Sequence, residues 1–433
     1  MLYSLLIDCC YLVALCLVWP LVAFRRWRRG QSVSLADRLG NIASRRVAGR
    51  CVWIHGVSLG EINATTTLVA TLRRRLPAAE IVISSTTDAG LKRAHELYPD
   101  LLTFRYPLDL SFVVRRVFDR ARPNVIVLME LELWPNLIEV ARARGVPVLI
   151  ANGRITAEKS VRRFQWPILR SVARRMSRSL AWVGAQERAY AERFELLGVP
   201  GDRIEVTGSL KFDTATVGDF VAGQDELARE MGIDRGKPLW VCGSTGPGEE
   251  AMVLDAFDAL LRTLPDLQLA IVPRKPERFD EVARLVVQRG FACLRRSTGR
   301  PTHPADGPAA TPVFLGDTLG ELRKFYALAN VVFVGRTLIP QGGSDLMEVA
   351  GLARAMVVGP HLENFAEAAA ALGAAGGMLQ VPSAKELAGA IQGLLSDAAA
   401  ARTIGLRARQ AIVERQGATE RTAERIAMYL AEA

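Results

Sequence analysis

The sequence predicts an α/β chain: two doubly wound domains, each a parallel sheet with helices on both faces, behind an apolar N-terminal anchor helix. Three observations predict it. Beyond residue 50, short continuous apolar runs alternate with amphipathic stretches, which is how parallel strands buried on both faces read. The alternation runs down after Ser209 and restarts at Leu239, so 433 residues hold two such domains. Before them, Leu2 to Phe24 form a nearly unbroken apolar run, long enough at ~1.5 Å per residue to span a bilayer core. With half its residues hydrophobic and 23% charged, the chain is neither disordered nor of low complexity.

The apolar run is followed at once by Arg25, Arg26, Arg28 and Arg29, with Trp19 and Trp27 at interfacial positions. Positive charge precedes a cleavable signal peptide but here follows the run, so residues 1–30 are expected to stay as an anchor with the body cytoplasmic. Asp8 and Pro20 interrupt the run, which leaves a spanning helix and one lying in the interface both open. Residues 1–200 carry 30 basic and 16 acidic side chains, a net +14, and residues 201–433 carry −4 of the total +10. One domain therefore faces an anionic partner and the other does not. Membrane lipid is the simpler anion, because the arginine runs lack the interleaved aromatics of a nucleic-acid surface. Cys9, Cys10 and Cys16 lie in the apolar run and Cys51, Cys242 and Cys293 far apart; with only four His, no metal-ligand spacing exists and no metal is expected.

Strands are expected at 52–57, 81–85, 101–106, 125–129, 146–151, 180–184 and 204–207. In the second half they are expected at 239–242, 267–272, 292–295, 313–315, 331–334, 356–358 and 378–381. The acidic stretch Asp213 to Lys237 holds a linker and one helix. The expected domains are 31–215 and 216–397, with closing helices at 398–433 that pack back on the first domain.

Ligands of open α/β sheets bind beyond the carboxyl ends of the strands. There the first strand runs through Trp-Ile-His-Gly-Val-Ser-Leu-Gly-Glu61, placing Glu61 at a strand–helix junction. It is either a favourable first-turn charge or a general base. The fourth strand leads into Met129-Glu-Leu-Glu-Leu-Trp-Pro-Asn136, where Glu130 and Glu132 share a face at strand spacing. Asn152-Gly-Arg154 follows the next strand, and Gly-Ser-Leu-Lys-Phe-Asp213 places Lys211 at the domain boundary. In the second domain, Val241-Cys-Gly-Ser-Thr-Gly-Pro-Gly-Glu-Glu250 offers Ser244, Thr245 and Gly248 as a backbone anion cradle, though neither a Walker loop nor a dinucleotide fingerprint. Arg274 and Lys275 follow the next strand. Gly335 closes another, and Gln341-Gly-Gly-Ser-Asp-Leu-Met-Glu348 contributes Gly342, Gly343, Ser344, Asp345 and Glu348. Three such loops on one sheet edge suit a nucleotide phosphate.

Taken in order, these motifs and Gly-Asp-Thr-Leu-Gly-Glu-Leu322 resemble the 3-deoxy-D-manno-octulosonic acid (Kdo) transferases of lipopolysaccharide assembly. The resemblance implies a GT-B glycosyltransferase, two Rossmann-like domains facing a cleft, moving Kdo with inversion from CMP-Kdo to a lipid A precursor at the cytoplasmic face of the inner membrane. It implies Glu61 as general base, Glu130 or Glu132 as an assisting carboxylate, and Ser58, Gly60, Asn152 and Arg154 on the acceptor side. Lys211 joins the second-domain loops on the donor side, and no cofactor is needed. Where the family carries His, this chain has Gly246, Lys275 and Ser344, with Asp345 in place of Asn, and the second Gly of Val-Gly-Gly is Arg336. These departures fall on the donor edge. The alternatives are another GT-B nucleotide-sugar enzyme, such as an epimerase, and a non-catalytic membrane-surface protein.

Overall fold

The computed structural model describes residues 2–28, 38–45, 49–155, 167–302 and 311–433. Two compact units result, Met1–Thr214 with Arg415–Ala433, and Ala215–Glu414. Arg29 of the anchor, and Arg46, Arg162 and Arg163 of the basic first half, lie outside the described residues, as do the side chains of residues 18–27.

In the first unit, helix α1 (Leu2–Arg28) precedes β1 (Cys51–Gly56), α2 (Leu59–Arg75), β2 (Glu80–Ser85), α3 (Asp88–Leu97), β3 (Leu102–Arg105) and α4 (Ser111–Ala121). Then come β4 (Val125–Met129), α5 (Pro135–Ala143), β5 (Val148–Gly153), α6 (Pro167–Arg178), β6 (Trp182–Ala185), α7 (Arg188–Leu197) and β7 (Ile204–Val206). The seven strands are parallel in the order β3-β2-β1-β4-β5-β6-β7. Every residue of β1, β4, β5 and β6 is buried, as the uninterrupted Val/Ile runs require of strands covered on both faces.

The second unit runs α8 (Gln224–Met231), β8 (Leu239–Thr245), α9 (Glu249–Leu261), β9 (Gln268–Pro273), α10 (Phe279–Gln288), β10 (Ala292–Arg295), β11 (Pro301–Thr302) and β12 (Pro312–Leu315). It continues with α11 (Leu322–Leu328), β13 (Val331–Val334), α12 (Met347–Gly351), β14 (Ala355–Val358), α13 (Ala366–Ala374), β15 (Leu379–Gln380), α14 (Leu387–Ser396) and α15 (Ala398–Val413). Its sheet has the order β11-β10-β12-β9-β8-β13-β14-β15 and is parallel except for the edge strand β11, which pairs antiparallel with β10. All fourteen expected strands form. The two-residue β11 is the exception, too short to carry a periodicity.

The last two helices part company. Helix α15 belongs to the second unit, whereas α16 (Ala418–Glu432) returns to the first and buries Ala418, Ala423, Ile426 and Leu430 in its core. Asp213 receives the Gly417 and Thr419 amides (2.6 and 2.5 Å) and so caps α16.

Strand order reverses between β1 and β4 in the first sheet and between β8 and β13 in the second. Those two switch points are where a doubly wound sheet opens a crevice for ligands.

Candidate active site

At the first switch point, Ser58 caps α2 and forms a capping box with Glu61. The Glu61 carboxylate accepts from Val57 N (2.9 Å), Ser58 N (3.2 Å) and Ser58 Oγ (2.8 Å), which fixes its position while it stays half-buried. Gly60 leaves the surface beside it open. Across the switch, β4 ends at Met129, and Glu130 leaves the strand in left-handed backbone at φ 57°. Glu130 and Glu132 therefore do not share a strand face as their spacing suggested. Burial first, then the nearby Glu61 carboxylate, push Glu132 up to about 7. Glu132 thus feels the Glu61 charge from across the crevice.

The floor of this edge is aromatic. His55 is fully buried, its Nδ1 2.9 Å from Ser84 Oγ, with its ring 4.2 Å from Tyr106, which packs 4.9 Å from Trp134. Burial lowers His55 to about 3, so it stays neutral and is no base at physiological pH. Asn152, buried at φ 56°, accepts from Leu210 N (3.0 Å), while its Nδ2 and Arg154 Nε are buried without partners. Buried donors in this condition are rare and fit a site that takes a polar ligand.

At the second switch point the structure changes the expected roles. Glu249 is fully buried and receives four amides, from Gly246 (2.8 Å), Arg336 (2.5 Å), Thr337 (3.0 Å) and Leu338 (2.9 Å). Glu250, also buried, pairs with Arg278 through two bonds (2.6 and 2.9 Å) and accepts from Thr245 Oγ1 (2.7 Å). Of the loop Ser244-Thr-Gly-Pro-Gly248, the Gly246 amide is thus taken by the chain's own carboxylate. Ser244 sits at φ 55° and its carbonyl accepts from Ser344 Oγ (3.3 Å); Gly248 turns at φ 91° into α9. Gly335 is obligatory, because a Cβ there would lie 2.5 Å from Thr245 Cα. The close approach of Gly342 and Gly343, at φ 78° and 82°, is to the Asn364 side chain and the His361 carbonyl of the same unit.

Arg274 N donates to Thr245 O (3.1 Å), and its exposed guanidinium acts on Asp345 and Glu348. Burial raises both carboxyls; the Met347 amide at Asp345, Arg323 at Glu348 and Arg274 at both oppose only part of the rise. Lys275 is exposed. These residues gather on one edge of the second unit, whereas Lys211 belongs to the first. Among the described residues no three His, Cys, Asp or Glu form a metal-binding group.

Residues 33–214 match the family described as 3-deoxy-D-manno-octulosonic-acid transferase (kdotransferase). The 3-deoxy-D-manno-octulosonic acid transferase of Haemophilus influenzae is 32% identical over 434 residues, covering 99% of this chain and 98% of that one. The chain belongs to the Kdo transferase family. The enzyme of that name from Bordetella pertussis is 34% identical over 438 residues, 97% of this chain and 99% of its own. Among solved structures, the UDP-GlcNAc 2-epimerase of Neisseria meningitidis bound to UDP-GlcNAc shares the fold, with a TM-score of 0.53, 12% identity, and coverage of 89% and 100%. The chain is a glycosyltransferase of lipopolysaccharide biosynthesis with the GT-B architecture.

One feature of this Kdo transferase was hidden in the sequence. Asp8, an apparent flaw in the apolar helix, is buried and accepts from Ser111 N (2.8 Å), Ser111 Oγ (2.6 Å) and Asn136 Nδ2 (2.9 Å), docking α1 on α4 and α5. Its signal was a lone carboxylate in an apolar run, which must find donors. Nearby, Tyr3, Arg142, Arg174, Arg175 and Arg178 line a basic cavity of ≈550 Å3. Although burial alone would raise Glu139, Arg142 and Arg175 hold it down at about 2. Among the described residues no helix is long and apolar enough to cross a membrane.

Proposed function

We propose that the protein transfers Kdo from CMP-Kdo to a lipid A precursor with inversion, using Glu61 as general base. The Glu61 carboxylate takes the proton of an acceptor hydroxyl as that oxygen attacks the anomeric carbon. The bond from that carbon to the CMP phosphate breaks, and the electron pair leaves on the phosphate. The observation that carries the reading is the capping box: it holds Glu61 at the switch point with Glu132 across from it. Glu132 stands across from Glu61, and Glu130, Ser58, Gly60, Asn152 and Arg154 line the acceptor side. Arg274 and Lys275 counter the phosphate charge, with Ser244, Thr245, Gly248, Gly335, Gly342, Gly343, Ser344, Asp345 and Glu348 shaping the nucleotide side and Lys211 assisting. The epimerase likeness, at 12% identity, speaks for the fold alone.

The enzyme works at the cytoplasmic face of the inner membrane, with α1 lying in the interface. Ser4, Ile7 and Asp8 are buried against the first unit, while Leu5, Leu6, Leu12, Val13 and Leu17 are exposed. A helix held by one face and apolar on the other suits an interfacial position, and the arginine cavity beside it suits anionic headgroups. Purified protein incubated with labelled CMP-Kdo and a tetraacylated lipid A precursor is expected to yield a lipid product heavier by whole Kdo residues. No product, with CMP-Kdo intact, would overturn the reading.

A further inference from the structure

We infer that Arg336 binds an anionic oxygen of the nucleotide-sugar donor and so sets donor affinity in this chain; the inference rests on the donor reading above. Four backbone donors at this edge are already used. The successive amides of Arg336, Thr337 and Leu338, a ready-made anion nest, close on Glu249 together with that of Gly246. With that nest filled, positive charge for a bound phosphate or carboxylate is left to side chains.

Arg336 stands at the right place to supply it. It follows β13 and Gly335 at the switch point, in left-handed backbone at φ 62° where glycine is the unstrained residue. Its side chain lies over Gly246, where a Cβ would come within 3.1 Å of Arg336 Cγ, 3.0 Å of Gln341 Oε1 and 2.8 Å of Ile339 Cδ1. The missing side chain at 246 and the arginine at 336 thus form one arrangement.

The guanidinium is held without being neutralised. Nε donates to Gln341 Oε1 (3.2 Å) and Nη2 to Gln341 O (3.0 Å), both neutral acceptors. Among the described residues Arg336 has no carboxylate partner, and Nη1 makes no hydrogen bond. Arg274, by contrast, already acts on Asp345 and Glu348. A guanidinium fixed in orientation with its charge unspent matches the planar geometry of phosphate and carboxylate.

The test is calorimetric titration of the full-length protein with cytidine, CMP and CMP-Kdo, alongside its melting temperature. Arg336→Gly is expected to weaken CMP-Kdo about tenfold, leave cytidine unchanged and melt no lower than the parent, since it relieves a left-handed residue. Weakening shared by CMP assigns the phosphate; weakening confined to CMP-Kdo assigns the sugar carboxylate. Gly246→Ala is expected to reproduce the loss with the charge intact, by displacing Arg336. Equal CMP-Kdo affinity in the parent and Arg336→Gly overturns the inference, as does a lower melting temperature with cytidine weakened in parallel. A parent that binds no CMP-Kdo removes the donor reading, and the inference with it.

Discussion

The two switch points look alike in sequence and behave in opposite ways. Each follows a strand with a fully buried tryptophan, Trp53 in β1 and Trp240 in β8, and each places glutamate at the start of the next helix. At the first, Glu61 is held by three donors at the edge of the fold, with Glu132 pushed towards protonation opposite it. At the second, Glu249 and Glu250 are wholly buried and knit the loops together. Carboxylates are available to a substrate at one edge, and arginines at the other. The same motif thus presents a held carboxylate at the edge of one unit and serves architecture in the other.

The largest contrast should appear in stability. Glu250→Gln breaks a buried bidentate pair and leaves the buried Arg278 with only the exposed Glu281 as a carboxylate partner, an expected loss of about 3 kcal/mol by chemical denaturation. Glu61→Gln keeps a capping side chain and should change stability by less than ~1 kcal/mol. Similar losses at both positions would erase the comparison.

Next comes the docking of α1. Asp8→Ala removes the acceptor for three hydrogen bonds and is expected to destabilise that contact by about 1–3 kcal/mol, read as faster hydrogen exchange confined to α1, α4 and α5. Exchange unchanged there would mean that Asp8 holds nothing.

The pH dependence sharpens the first switch point. Glu132 is raised to about 7, so it is neutral below that pH and ionised above. Transfer should rise between pH 6 and 8 as the second carboxylate ionises beside Glu61, and Glu132→Gln should be slower and flatten that rise. The linkage has the opposite sign for folding. A carboxyl raised in the folded state favours folding below its unfolded value near ~4.3, and that contribution is lost as pH climbs through 7. Glu132→Gln should therefore gain relative stability at pH 8.

The smallest effect belongs to the basic cavity. Arg178→Gln is expected to weaken binding to anionic vesicles by about 1 kcal/mol, roughly fivefold, with the difference shrinking at high salt and vanishing on neutral vesicles. Equal loss on neutral vesicles would point to packing instead.

How much of this could be read from residues alone depended on the kind of information. Strands such as 125–129 and 331–334 were legible because burial on both faces demands unbroken apolar runs. The ligand loops were legible because glycine and polar residues crowd the strand ends. Whether a glutamate in such a loop faces solvent or fills its own nest was not, since this depends on amides some 90 residues away, as for Glu249 and Leu338. The left-handed turn at Glu130 and the partners of Asp8 are likewise long-range. Nothing in Leu131 or Cys9 announces them.

The central claim is that Glu61, positioned by the capping box, is the base for sugar transfer. Its most direct test is the initial rate of Glu61→Gln with saturating CMP-Kdo and lipid A precursor, measured beside its melting curve. The account predicts a rate at least ~100-fold below the parent at an unchanged melting temperature. Transfer at the parental rate would contradict it.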